Sequence, residues 1–143
     1  MKQQVRIKLQ TMIDDDGEIE YNTIKQVGHL FKKGHLDVVS YEEEPEAGQV
    51  IRNLISIQHD SVNIKRSGFI TMNQKFKQKQ KTESYYEHPH GAIHMETFTD
   101  DIVYEHDQTA GKHELQINYT VKLNGMDARK HTLLLIMTKE VAK

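Results

Sequence analysis

Apolar and polar residues alternate with a period of two along most of the chain, which is the pattern of β-strands that bury one face. The clearest stretch is 114–123, in which every second residue is apolar. No stretch shows the 3.6-residue period of an amphipathic helix of three turns. The pattern therefore predicts an all-β fold of about ten strands, at about 4–13, 18–33, 36–44, 49–57, 60–66, 69–77, 80–87, 91–106, 114–123 and 130–139.

The turns between these segments must bring the apolar faces of neighbouring strands to the same side of the sheet. At the first turn we expect a three-residue loop, Asp15–Gly17, with its glycine in the left-handed conformation. This loop sets Ile13 opposite Ile19 and Val5 opposite Val27. The apolar positions then fall on one face of the first hairpin.

Two further features are predicted near residue 100. Apolar residues occupy odd-numbered positions up to Met95 and even-numbered positions from Ile102, so the face that they occupy would change in between. This change predicts a bulge or turn at Asp100-Asp101. A four-residue loop at 108–111 would set His106 opposite His113 on the same side of the sheet.

Every connection is short, so successive strands are expected to be neighbours in an antiparallel up-and-down barrel of about eight to ten strands. We expect the whole chain, 1–143, to form this one domain. A barrel of this size either fills with side chains or leaves room for one small ligand.

Composition narrows the classes of protein. The chain has no cysteine, which excludes disulfides, thiolate zinc sites, Fe–S clusters and a cysteine nucleophile. No apolar run approaches the roughly 20 residues of a membrane-spanning helix, and the charged first residues lack the apolar core of a signal peptide. We therefore expect a cytoplasmic protein without membrane insertion.

The chain also resembles a known family. Its residues Gly28-His29-Leu30, Tyr41-Glu42-Glu43, Arg66-Ser67-Gly68, Tyr86 followed by Gly91, and Tyr119 occur in an order similar to that of the YwiB-like proteins. These are uncharacterised bacterial small β-barrels that are similar to the calycins, the group of lipocalins and fatty-acid-binding proteins. The resemblance implies a calycin-like barrel and, by analogy alone, ligand binding. Lipocalins carry a tryptophan near the first strand, and this chain has no tryptophan.

A set of polar side chains is predicted to lie inside the barrel. Arg66 falls on the same face of its strand as the apolar residues that are expected to point inward. Tyr41 and Glu43 likewise fall on the inward face of their strand. A buried guanidinium needs a carboxylate or several acceptors. We expect Arg66 to pair with Glu43 near Tyr41 and Tyr86. The pair serves either as an anchor for an anionic head group or as a structural ion pair that closes the barrel end.

Nine histidines form a second candidate. His106 and His113 could share a metal or a proton across two strands. His88, His90 and His94 share one parity and could form a three-histidine zinc site, although Pro89 interrupts the run. The alternative is a set of exposed or hydrogen-bonded histidines, and we expect no metal or cofactor.

A row of lysines is the third candidate. Lys75, Lys77, Lys79 and Lys81 would project from one face of a strand and could follow a phosphate backbone or an anionic surface. The same row is equally the solvated face or protected edge of a strand whose other face is buried. No aromatic residue accompanies the lysines for base stacking, which argues against nucleic acid.

We therefore expect non-catalytic binding of a small, partly apolar or anionic ligand inside the barrel, since no catalytic signature is present. The alternative is a packed barrel that serves as a macromolecular interaction module through the basic strand 75–81 or an exposed sheet edge. The protein is expected to be a monomer or a homodimer. The candidate ligand-binding residues are Arg66, Glu43, Tyr41, Tyr86 and Tyr119.

Overall fold

The computed structural model describes residues 2–140 and contains ten antiparallel strands that close into a barrel. Each strand pairs with the strands next to it in the chain, and β1 pairs with β10 to complete the circle. This confirms the predicted up-and-down barrel, with strand ends within about two residues of the expected ones. The described residues contain no helix long and apolar enough to cross a membrane. The strands are β1 (Gln3–Asp15), β2 (Glu18–Lys33), β3 (Leu36–Glu43), β4 (Ile51–Ile57), β5 (Ser61–Gly68), β6 (Thr71–Lys77), β7 (Lys81–His88), β8 (Gly91–Asp107), β9 (Lys112–Leu123) and β10 (Arg129–Lys139).

The hydrophobic core fills the middle of the barrel. Because side chains alternate across each strand, every second residue points inward, and those of β4, β6, β9 and β10 are the most deeply buried. Phe76 lies at the centre, with no exposed surface, and its ring packs edge-on against Tyr119 at 4.8 Å between centroids. Burial of each such side chain stabilises the fold by about 1.5–3 kcal/mol.

The first hairpin differs from the prediction. Its loop has two residues, Asp16-Gly17, with φ of 54° and 94°, and Ile13 lies opposite Glu20 rather than opposite Ile19. The three-residue loop was therefore the wrong expectation. Positive φ at both loop residues suits an Asp-Gly pair in the turn whose twist matches that of the strands. The parity argument failed because the apolar side chains of this part of β2 point outward, so Ile19 is 52% exposed.

The predictions around residue 100 are confirmed. The register of β8 against β9 shifts between Thr99 and Asp101, so a bulge changes which residues face the core. The loop that follows spans four residues, and His106 lies opposite His113.

The barrel wall opens along much of the boundary between β2 and β3, as it does between β6 and β7, which in the described part of the chain pair only through Thr71 with Glu87 and Met72 with Tyr86. β2 and β3 pair only between 29–33 and 36–40, near one end of the barrel. The preceding residues of β2, 18–28, pair with β1 alone among the described residues. The other edge of this segment, which we call the free β2 edge, has no backbone partner within residues 2–140.

Candidate functional site

An open cleft of about 620 Å³ enters the barrel where β7 and β9 end and β8 and β10 begin. We call it the apolar cleft. Its walls come from six consecutive barrel strands and from the loop between β9 and β10. The apolar residues that line it are Ile13, Ile93, Met95, Val121, Leu123 and Met126.

Polar side chains line the same cleft and are held by neighbouring groups. Gln74 is buried, and its Nε2 donates to Thr97 Oγ1 at 3.0 Å. The ring of His131 stacks on that of Tyr119 at 5.1 Å between centroids. Tyr86 also lines the cleft, and Asp15, Asp127 and Arg129 add charged side chains at its rim. The cleft therefore combines a mainly apolar surface with a few fixed hydrogen-bonding groups.

The deeper of these groups are neutral at pH 7. Burial raises the pKa of the Tyr119 phenol above its ordinary value, so it stays protonated. Burial also lowers the pKa of His131, and the positive charge of Arg129 lowers it further. At the rim, Arg129 lies 3.5 Å from the carboxylate of Asp15, with both side chains about half exposed. An exposed pair of this kind adds little stability.

Arg66 belongs to a separate polar network in the opposite wall. Its Nε donates to Asn53 Oδ1 at 3.1 Å, and its terminal nitrogen lies 3.5 Å from Glu43 Oε2. The amide of Asn53 donates to the other oxygen of Glu43 at 3.0 Å. Burial raises the pKa of the neighbouring Tyr41, and the charge of Glu43 adds to that effect, while Arg66 opposes it. The predicted ion pair of Arg66 and Glu43 is present, and Asn53 contacts both members of the pair.

Asn53 is the member of this network that the sequence reasoning missed. It is 3% exposed and lies on β4 between Ile51 and Ile55, which are also buried. Its parity alone marks it as an inward polar residue. The signal was therefore present in the same pattern that identified Arg66.

The five candidate ligand-binding residues fall into two groups. Tyr41, Asn53, Arg66, Met72 and Tyr86 occupy successive positions of one row across the strands. Met72 thus separates the Arg66 network from Tyr86. Tyr86 and Tyr119 line the apolar cleft, whereas the predicted Tyr41, Glu43 and Arg66 lie together outside its lining.

The opposite mouth of the barrel holds a basic cleft of about 700 Å³, lined by Lys2, Lys32, Lys139, His106 and His113 among others. The rings of the two histidines are stacked at 3.7 Å between centroids. The pKa of His113 is lowered, first by burial and then by the charges of His106 and Lys32, while Asp37 opposes the shift. Tyr104 Oη donates to Asp37 at 2.7 Å.

The histidines of the β7–β8 hairpin, considered above as a possible three-histidine site, do not lie on one face. The two-residue turn Pro89-His90 sets His88 opposite Gly91, so the parity reverses and His94 points outward. His88 stacks on His90 at 5.1 Å instead. On the outer surface, His94 lies beside the carboxylates of Glu83 and Glu96. The potential metal-ligand atoms of the three side chains are within 4.8 Å of one another, so they could hold a metal ion.

The four lysines also lie differently from the prediction. Lys75 and Lys77 are exposed on β6, which ends at Lys77, whereas Lys81 begins β7. Lys79 lies in the turn between them with a φ of 62°. The turn is closed by a hydrogen bond from the Gln80 N–H to the Lys77 carbonyl at 3.0 Å. Residues 75–81 are therefore not one basic strand.

Comparison with known proteins gives one consistent result. Residues 7–135 match the family model described as a domain of unknown function, DUF1934. The chain is 27% identical over 135 residues to the uncharacterized β-barrel protein YwiB of Bacillus subtilis (strain 168), covering 93% of each chain. The crystal structure of ywiB protein from Bacillus subtilis superposes with a TM-score of 0.86 at 23% identity, covering 98% of this chain and 94% of the other. That superposition supports the barrel fold.

Proposed function

The chain belongs to the DUF1934 family of YwiB-like barrels, and we propose that it binds a small, largely apolar and uncharged molecule in the apolar cleft without catalysing a reaction. The observation that carries this proposal is the open cleft of about 620 Å³ with mainly apolar walls. Sites for small ligands are typically concavities of about 300–1,000 Å³ with apolar linings and few polar groups. The apolar cleft has this size and composition.

The charge state of the lining favours an uncharged ligand. The Tyr119 phenol and the His131 imidazole are both neutral near pH 7, because burial disfavours their charged forms. A charged group beside these two rings would lose its hydration without an opposite charge next to it. The charged residues of the lining, Asp15, Asp127 and Arg129, lie at the rim. A ligand carboxylate at Arg66 would be repelled by the carboxylate of Glu43, which lies 3.5 Å from the guanidinium, while Asn53 accepts from Nε. The Arg66 network therefore serves, in this proposal, to hold the wall of the barrel.

The polar residues of the cleft would orient the ligand. In this proposal the Tyr119 hydroxyl donates a hydrogen bond to the ligand at the inner side of the cleft. The side-chain amide of Gln74, held in place by Thr97, offers a second polar contact. Tyr86 would contact the ligand nearer the mouth. Met126 is 69% exposed in the loop between β9 and β10, so its flexible side chain can adapt to ligands of different shape.

The proposal is tested by titrating the protein with N-phenyl-1-naphthylamine, an uncharged apolar dye whose fluorescence rises when it leaves water. The variant I93W places a larger side chain into the cleft, and V103W adds the same side chain to the outward face of the same strand, where Val103 is 47% exposed. We expect saturable binding that I93W weakens by about tenfold or more, equivalent to about 1.4 kcal/mol, and that V103W leaves unchanged. Equal effects of the two variants, or no saturable binding, would refute the proposal.

A further inference from the structure

The free β2 edge carries unused backbone hydrogen-bonding groups. Asp15 and Glu18 flank the two-residue turn and form the first pair of the hairpin. In an antiparallel hairpin with such a turn, that pair is hydrogen-bonded and the pairs alternate from there. The N–H and C=O groups of the odd-numbered residues from 19 to 27 therefore point away from β1, toward the side on which the described residues offer no partner.

The side chains along the same edge are unusually apolar for a surface. Ile19, Tyr21 and Val27 are 52%, 64% and 51% exposed, and they point outward on one face of β2 together with Thr23 and Lys25. Proteins protect long sheet edges with prolines, bulges or several charges. The segment 18–27 has no proline and pairs with β1 without a bulge, and Lys25 is the only lysine on it. The edge is thus suited to pairing with another strand.

We propose that this strand is the same segment of a second copy of the chain, paired antiparallel about a two-fold axis that passes through Thr23. Ile19 then lies opposite Val27 of the second copy, and Tyr21 lies opposite Lys25. These are an apolar pair and a pair of an aromatic ring with a cation, both of which stabilise sheets. The axis repeats each pair, so the interface is self-complementary, as a two-fold dimer requires.

The charges along the edge favour this direction of pairing. Glu18 and Glu20 lie in the first half of the segment and Lys25 in the second. Antiparallel pairing places the acidic half of one copy beside the basic half of the other. Parallel pairing would place the glutamates of the two copies together, which is destabilising.

The structure also selects the register. Residues that lie opposite each other must point to the same face, so the axis must pass through a residue. An axis at Asn22 would leave Val27 opposite Gly17 in the turn. An axis at Ile24 would place Ile19 of one copy opposite His29 of the other, but the backbone of His29 is already paired with Ser40 of β3. The axis at Thr23 is the one that covers both Ile19 and Val27.

Single cysteines test this register directly, because the chain contains no cysteine. In the proposed dimer the two copies of Thr23 face each other, with Cα atoms about 5.5 Å apart, within the range of about 4.4–6.8 Å that a disulfide spans. The two copies of Lys25 are offset by about 13 Å along the strands. Both side chains are exposed. Under mild oxidation T23C should form a disulfide-linked dimer in high yield, whereas the matched control K25C should not.

The oligomeric state is measured in parallel by light scattering after size exclusion. The variant T23P removes an N–H that faces the second copy and keeps the hydrogen bonds between β1 and β2. We expect the unmodified chain to form a dimer and T23P to weaken it by about tenfold or more, with an unchanged circular dichroism spectrum. If T23P fails to fold, the comparison of T23C with K25C decides alone. A monomer at concentrations up to about 1 mM, a dimer that T23P leaves intact, or equal cross-linking of the two cysteine variants would overturn the proposal.

Discussion

Asn53 bridges Arg66 and Glu43: its side-chain oxygen accepts from the guanidinium at 3.1 Å, and its amide donates to the carboxylate at 3.0 Å. Such a network is stable in a barrel wall only when every charged atom has a partner, because an unpaired buried charge is costly. The amide of Asn53 therefore has a structural role as large as that of the two charges.

Replacing this amide should destabilise the protein. The variant N53L has a side chain of similar size that neither accepts from Arg66 nor donates to Glu43, and we expect the free energy of unfolding to fall by about 2–3 kcal/mol. Urea denaturation at pH 7 measures the change. The control is N73L at an exposed position of β6, which should alter stability by less than about 0.5 kcal/mol. Equal stability of N53L and the unmodified protein would contradict the role of the bridge.

The ion pair itself can be separated from any part in ligand binding. R66M should lower the free energy of unfolding by about 3 kcal/mol, because it leaves the partly buried carboxylate of Glu43 without its positively charged partner. The double variant R66M/E43L should recover part of this loss, because it removes both charges together. Its affinity for N-phenyl-1-naphthylamine should equal that of the unmodified protein. A folded double variant that no longer binds the dye would instead make Arg66 part of the binding site.

Stability should fall in mildly acidic solution. His113 is buried and His131 is partly buried, and their pKa values in the folded protein lie below the value of about 6.5 of an unfolded chain. Below that pH the unfolded chain binds protons that the folded protein does not, so the free energy of unfolding decreases until the folded pKa values are reached. Each histidine contributes at most about 1.4 kcal/mol per pH unit. Urea denaturation at pH 7.5 and pH 5 should show a smaller difference for H113F than for the unmodified protein, whereas N73L, which replaces an exposed residue that does not titrate, should show the same difference. Identical pH dependence of H113F and the unmodified protein would contradict this assignment.

Gly28 should tolerate no larger residue. A Cβ atom at this position would lie 2.6 Å from Ile7 Cδ1 and would meet the backbone oxygen of Ser40, where the pairing of β2 with β3 begins. G28A should therefore cost about 1–3 kcal/mol through overpacking. At Gly17, where a Cβ would meet nothing within 4 Å, alanine should cost about 1–2 kcal/mol through its φ of 94° alone. Because the tighter contact at Gly28 is with the Ser40 backbone, I7A should relieve at most the part of the cost that comes from Ile7 Cδ1, and it should leave the cost at Gly17 unchanged. Thermal unfolding of the single and double variants measures both.

The sequence pattern predicted those parts of the fold in which a strand has one buried and one exposed face. The ten strands, the bulge beside Asp101 and the pairing of His106 with His113 all follow from parity and from loop length. The same reasoning placed Arg66 with Glu43. It would have placed Asn53 beside them had the polar residues of β4 been included.

The prediction failed in two situations. In one, the face on which a side chain lies was extrapolated across a turn; in the other, apolar residues were assumed to point inward on a strand whose apolar side chains face solvent. The outward side chains of the free β2 edge gave a false register for the first hairpin, and the Pro89-His90 turn reversed the face of His94. The lysine row was broken at the turn that contains Lys79. The apolar cleft could not be predicted, because its volume depends on how far six strands separate at one mouth of the barrel, and the alternation of side chains carries no information on that distance.

The proposed binding of a small apolar molecule is tested most directly by mass spectrometry of the protein purified under gentle conditions from the cells that make it. Native spectra are compared with denaturing spectra for the unmodified protein, for I93W and for the control V103W. The account predicts an additional mass of a few hundred daltons, which corresponds to a ligand that fills a typical small-molecule site. This mass should be lost on unfolding, absent from I93W and retained by V103W. A native mass equal to that of the bare chain in all three proteins, together with no saturable binding of the dye, would contradict the account.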